Sequence, residues 1–349
     1  MISKRKLFQY VLVHLFGRFR STKNIIIYCS RNFHALHLVD AANNLSKCFG
    51  IRVFIVCPDE IVLPINERVI LLTCNLNDFS RSIPVDLFIT TENDDLPYYL
   101  SCKSIYFGHG IGPKLNYQLG RNLLAYDYIF CPCQFFYDSM KDVVGENKVR
   151  RIGLPLLDQN YLGENSNIIL YAPTWSEGLK YVSDVVEVIG LLATIPGYRI
   201  IVSLHPNLER DLSPGVVEKA VSVDKADGTI VELIENSEFS TSFEVLLHAK
   251  FIVGEISSLM FEALAYDVPV VFDGNEDIFY HVGADEVLPM VKESFYRIDE
   301  LVDDVKRENI VIRDPKKGKR EAYSNQYLYN RGVASSAFVE EAVKILVSE

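Results

Sequence analysis

Basic charge is scarce in this sequence. Its 349 residues hold 35 Lys and Arg against 46 Asp and Glu, a formal net charge of −11. General nucleic-acid binders carry a basic domain, so no nucleic-acid partner is expected. Cysteine is missing from the second half: all seven, at 29, 48, 57, 74, 102, 131 and 133, lie in the first. Their number is odd, and Cys131-Pro-Cys133 has no second pair or histidine cluster near it. A disulfide framework and a zinc site are set aside, and a reduced, cytoplasmic protein is expected. No apolar run reaches the roughly 20 residues that a membrane span needs. Internal repeats and low-complexity tracts are absent. The glycines match neither the dinucleotide fingerprint nor the phosphate-binding P-loop. No dense carboxylate cluster occurs. No tightly bound metal or cofactor is therefore expected, and at most a loosely held divalent cation.

What is present is the composition of an ordinary globular chain, 49% hydrophobic and 23% charged. The length suits two domains. The charge is unevenly placed. Residues 1–23 carry Lys4, Arg5, Lys6, Arg18, Arg20 and Lys23 and no acid, which leaves −17 for the rest. Within this head, Phe8, Leu12, Leu15, Phe16 and Phe19 recur at helical spacing. A basic amphipathic segment of this kind suits an anionic membrane surface. The alternative is a first helix packed on the protein's own core.

Apolar, β-branched runs alternate with helical patterns. Strands are expected at Ile25–Cys29, Val53–Cys57, Val69–Thr73, Leu87–Thr90, Ser104–Phe107 and Tyr128–Cys131, with a helix over Ala35–Phe49. The pattern restarts near residue 166. Strands are expected at Ile168–Tyr171, Ile200–Leu204, Thr229–Leu233, Phe251–Val253 and Val268–Phe272. Helices are expected at Val182–Leu192, Glu244–Ala249 and Leu259–Ala265. Strands apolar on both faces imply parallel sheets covered by helices. The expected fold is α/β, two Rossmann-like domains facing across a cleft, with boundaries at 24–160 and 161–330. Residues 331–349 are expected to form a helix that packs back on the N-terminal domain.

In open α/β sheets ligands bind beyond the carboxyl ends of strands. Four motifs fall there. Gly108-His109-Gly110-Ile111-Gly112-Pro113-Lys114 follows a strand. His109 there can act as a general base near neutral pH, and Gly110 and Lys114 can meet a phosphate. Tyr171-Ala172-Pro173-Thr174-Trp175-Ser176 holds the only tryptophan; Thr174 and Ser176 can donate to phosphate or ribose. Leu204-His205-Pro206-Asn207 offers a histidine to a diphosphate. Gly254-Glu255-Ile256-Ser257-Ser258 opens a helix and offers two hydroxyls and free amides to an anion, with Glu262 one turn further on for a ribose hydroxyl. Each also has a plain structural alternative: a tight turn, a loop anchor, a capped turn or a helix cap. A late basic run, Arg313, Lys316, Lys317, Lys319 and Arg320, suits a phosphate-rich acceptor, a membrane or a solvated loop. Together the motifs suit transfer from a nucleoside diphosphate donor. They leave open whether a glycosyl or a phosphoryl group moves.

At these motifs the chain resembles the CDP-glycerol glycerophosphotransferase family of teichoic acid and capsule polymer synthesis. The likeness spans about residues 100–345, from Phe107–Lys114 through Tyr171–Trp175, Leu204–Pro206 and Gly254–Ser258 to Tyr329–Ser335. Glu255-Ile256 stands where the family has Asp-Tyr, and Arg331 where it has Asp. The resemblance implies a GT-B fold and a peripheral enzyme on the inner face of the membrane. It implies a CDP-activated polyol donor, a lipid-linked or polysaccharide acceptor, and release of CMP. His109 and His205 would be catalytic; Thr174, Ser176, Glu255, Ser257, Ser258 and Glu262 would hold the donor. Gly110, Lys114, Arg313, Lys316 and Lys317 would contact phosphate or acceptor. The alternatives are a glycosyltransferase using a nucleotide sugar, a sugar-nucleotide 2-epimerase, and a non-enzymatic binding module.

Overall fold

A computed structural model describes residues 22–58, 63–74, 84–93, 95–108, 110–113, 120–163, 166–174, 182–205, 208, 221, 227–274, 276–281, 283–306 and 314–348. The basic head lies outside them. The chain divides into two compact units. Unit 1 is Met1–Gly110, Tyr117–Gln159 and Leu328–Glu349; unit 2 is Ile111–Asn116 and Asn160–Tyr327.

Unit 1 is built on a parallel sheet of β1 (Lys23–Tyr28), β2 (Ile51–Cys57), β3 (Val69–Thr73), β4 (Leu87–Thr90), β5 (Lys103–Tyr106), β6 (Tyr128–Cys131) and β7 (Val149–Arg151). Their order is β3-β2-β1-β4-β5-β6-β7. The Ile and Val runs pair in parallel register, Ile25 against Val53 on one side and Leu87 on the other. Ile25, Ile26 and Ile27 are fully buried, as strands covered on both faces must be. The expected helix over Ala35–Phe49 is instead two, α1 (Asn32–Leu36) and α2 (Val39–Leu45), broken where Leu38 leaves helical dihedrals. Ala35, Leu38, Val39, Ala42 and Leu45 all stay buried, so the apolar spacing runs unbroken across the kink.

The last helix, Ala334–Val347, belongs to unit 1 and packs on α2. Its first two free amides, those of Ala334 and Ser335, donate to the Asp158 carboxylate at 2.9 and 2.8 Å. Phe338 is fully buried and meets Phe107 and Phe130 edge-on, with ring centroids 5.5 and 5.2 Å apart.

Unit 2 is built on a second parallel sheet of β8 (Ile168–Ala172), β9 (Arg199–Val202), β10 (Ile230–Leu233), β11 (Ala249–Gly254), β12 (Val270–Phe272) and β13 (Tyr296–Arg297), in the order β10-β9-β8-β11-β12-β13. Its core joins Ile169, Tyr171, Val202 and Val253 to Val185, Ile189 and Leu192 of the helix Val182–Leu192. The helix expected over Leu259–Ala265 is α-helical only through Ser258–Glu262 and tightens to a 3₁₀ turn at Ala263–Tyr266. Among the described residues no helix is long and apolar enough to cross a membrane.

Candidate functional site

The order of the strands in unit 2 locates the site. From β8 the chain steps outward to β9 and β10, then returns to lay β11 on the other side of β8. The loops leaving β8 and β11 therefore diverge, and the crevice between their carboxyl ends is the topological switch point, where sheets of this type take ligands. Pro173 and Thr174 leave β8 there, and Glu255, Ile256 and Ser257 leave β11. Thr174 and Glu255 are buried. Ser257 begins the helix Ser258–Glu262, yet its side chain caps nothing. Its hydroxyl is buried and has no hydrogen-bond partner among the described residues. A buried hydroxyl left unpaired costs free energy unless something else satisfies it.

Close backbone approach shapes this crevice. A Cβ on Gly254 would lie 2.6 Å from the carbonyl oxygen of Ala172, so only glycine lets the two strand ends meet. A Cβ on Gly112 would lie 2.8 Å from Ser258 Oγ and 2.9 Å from its backbone nitrogen. The Gly112 N–H donates to Ser258 Oγ at 3.1 Å. Ile111, Gly112 and Pro113 are buried as part of unit 2. The glycine-rich motif and the serine turn, 146 residues apart, are thus joined directly. A hydroxyl that accepts this bond still has its own proton to donate.

His205 follows β9, one strand from β8, and is half-buried. The Ser203 N–H donates to the carbonyl of Tyr171, and the Ser203 and Ser242 hydroxyls lie 2.6 Å apart, which fixes the root of that loop. Gly108 and Gly110 hold φ of +74° and +85°. His109 between them lies outside the described residues, as do Lys114, Ser176 and Arg313. Glu262 is buried, and desolvation lifts its carboxyl to about 8, so it is neutral over most of the pH range.

The late basic run has partners inside unit 2. Lys316 donates to the carbonyl of Phe295 at 2.5 Å and stands over the Tyr296 ring. Lys317 lies 3.5 Å from Asp267, and Lys319 lies 3.0 Å from Glu293. Arg320 is fully buried between Asp314 and Asp267. Lys316 also lines a shallow cavity with Phe272, Lys292 and Arg297, beside the ends of β12 and β13. Arg297 there stacks over Phe272 and donates to the carbonyl of Gly274. Arg297 carries no signal in the sequence, because its two-residue strand has no apolar run. Among the described residues no group of His, Cys, Asp and Glu could hold a metal ion.

No protein-family model matches the chain, and no curated protein matches its sequence. Solved structures do. The wall teichoic acid polymerase TagF, as a histidine-to-asparagine variant soaked with CDPG, matches over 98% of this chain and 97% of its own, with TM-score 0.66 and 17% identity. MnaA of S. aureus in complex with UDP matches over 94% and 98%, with TM-score 0.61 and 13% identity. UDP-GlcNAc 2-epimerase from Neisseria meningitidis bound to UDP-GlcNAc matches over 92% and 100%, with TM-score 0.62 and 15% identity. The fold they share with this chain is of GT-B type.

Proposed function

We propose that this protein transfers a polyol phosphate, glycerol phosphate or ribitol phosphate, from a CDP-linked donor to a hydroxyl of a lipid-linked or polysaccharide acceptor in cell-surface polymer synthesis. The observation that carries this reading is the switch point of unit 2, where Thr174 follows β8, Glu255 and the unsatisfied Ser257 hydroxyl follow β11, and Gly112 donates to Ser258. Hydroxyl donors at strand ends, those of Thr174, Ser257 and Ser258, suit a nucleoside diphosphate, and the Glu255 carboxylate can accept from its ribose. The motif resemblance favours a CDP-linked donor, and so does the likeness to TagF, which was soaked with CDPG.

The reaction follows from these groups. His109 takes the proton of the acceptor hydroxyl, and the freed oxygen attacks the β-phosphorus in line. The bond from that phosphorus to the bridging oxygen breaks, CMP departs with the electron pair, and His109 returns its proton to water. His205 and the hydroxyls of Ser257 and Ser258 stabilise charge on the diphosphate. Such fixed donors are the main lever in phosphoryl transfer. Thr174, Ser176, Glu255 and Glu262 hold the nucleotide; Gly110, Lys114, Arg313, Lys316 and Lys317 meet phosphate or acceptor. The basic residues 1–23 attach the enzyme to the inner face of the membrane.

His109→Ala should cut transfer by about a hundredfold or more, the usual worth of a general base, while donor affinity stays within about twofold. Near-normal transfer in that variant would remove His109 from the mechanism. A second reading, a nucleotide-sugar enzyme, is supported by the fold shared with the UDP-bound MnaA and the UDP-GlcNAc-bound epimerase. It predicts release or turnover of UDP-linked rather than CDP-linked donors.

A further inference from the structure

Unit 1 has a switch point of its own. From β1 the chain steps outward to β2 and β3, then returns to place β4 on the other side of β1. The loops leaving β1 and β4 diverge there, as they do between β8 and β11. None of the four sequence motifs falls on this crevice. Its residues are Cys29, Ser30 and Arg31 after β1, with His34 in α1, and Thr91, Glu92 and Asn93 after β4.

A histidine–carboxylate contact bridges the crevice. His34 Nδ1 lies 2.5 Å from Glu92 Oε1. The two sides of the pair differ in exposure: the His34 side chain is 6% exposed and that of Glu92 is 25% exposed. The carboxylate thus keeps part of its surface open to solvent on the side away from α1's buried histidine. The surrounding scaffold holds Glu92 at both ends. Its N–H donates to Thr90 Oγ1 at 3.0 Å, and its carbonyl accepts from the Tyr126 hydroxyl at 2.8 Å. Thr91, the residue before it, is fully buried. Burial, and then the Glu92 charge, push the Tyr106 hydroxyl upward, which puts a third polar side chain within reach of the carboxylate's field. The Tyr106 ring end also lies against Gly108, the first residue of the glycine-rich motif.

A carboxylate fixed by a histidine, at a switch point and open on one side, is an acceptor of hydrogen bonds from neutral hydroxyl groups. We propose that the His34–Glu92 pair is the hydroxyl-binding site of unit 1, with Glu92 receiving the hydroxyls of a polyol or sugar and His34 acting as its positioning residue. This rests on the transferase reading, in which the second substrate is such a hydroxyl-rich acceptor.

The test uses the full chain and two probes, a synthetic glycerol phosphate trimer for the polyol class and lactose for the sugar class. Saturation-transfer NMR reports their binding directly, without any donor. One or both probes should bind the wild type. Glu92→Gln, which keeps the shape and removes the charge, should weaken that binding by about tenfold or more, the worth of a hydrogen bond to a charged group. His34→Gln should weaken it less. In both variants CDP-glycerol titrated calorimetrically should bind as it does to wild type, a result that a general loss of structure would not give. Unchanged probe affinity in Glu92→Gln, or no binding of either probe to wild type, would overturn the assignment. Failure of CDP-glycerol to bind wild type would instead count against the transferase reading, and the probe titration would still decide the site.

Discussion

Gly254 and Gly112 occupy places where a methyl group meets backbone at under 3 Å. Gly254→Ala should lower the stability of unit 2 by about 1–3 kcal/mol through overpacking, read as a fall in Tm. Ser257→Ala is the opposite case. It deletes a hydroxyl that has no partner among the described residues, so stability should hold or rise while donor affinity falls about tenfold. Glu262 gives a pH signature. Its carboxyl titrates near 4.5 when exposed and at about 8 in the fold, so the folded chain binds its proton more tightly. Stability from this group is complete below pH 4.5 and is lost as pH rises through 8. Thermal unfolding between pH 5 and 8 should show that decline, and Glu262→Gln should flatten it. At this scale the sequence was informative where chemistry and strand ends coincide. Thr174, His205, Glu255 and Ser257 stand at strand ends that the Ile and Val runs announce. Glu262 reads in sequence as a ribose contact one turn into its helix, because helical spacing does not reveal that its side chain lies on the buried face with Met260 and Phe261.

The last helix, Ala334–Val347, depends on a residue far from it in sequence. Asp158 accepts from its first two amides, 176 and 177 positions away, and so serves as the cap that the helix's own preceding residue, Val333, cannot supply. Asp158→Ala should destabilise unit 1 by about 1–2 kcal/mol, measured by chemical unfolding. Phe338→Ala should cost about 3–5 kcal/mol, since it empties a contact with two buried rings. Strands with continuous apolar runs were legible almost to the residue. β7 and β13 were not, because Val-Arg-Arg and Tyr-Arg carry no run to recognise. The break between α1 and α2 was hidden because both helices bury the same stripe. Asp158 is invisible as a cap because nothing local in the sequence ties it to residue 334.

Across the whole molecule, the two sheets repeat one device: a strand whose neighbours leave in opposite directions, with polar residues at the fork. One fork carries the serine turn and the other the His34–Glu92 pair. The alternation of strands and helices made the α/β class readable, and the shared GT-B fold bears that out. The fork in unit 1 went unread, since Thr91-Glu92-Asn93 looks like any polar turn until topology places it. The charge asymmetry belongs to this scale too. Removing residues 1–20 takes away five of the six basic groups of the head. This should weaken binding to anionic liposomes and leave donor affinity unchanged, as co-sedimentation and calorimetry would report. Retained liposome binding would return the head to the protein's own core. The most direct test of the central claim offers CDP-glycerol, CDP-ribitol, UDP-GlcNAc and UDP-glucose in turn with a glycerol phosphate trimer as acceptor, and identifies the nucleotide released. The proposed function predicts CMP from a CDP-polyol and extension of the trimer; release of UDP, or inertness toward both CDP donors while a UDP-sugar turns over, would contradict it.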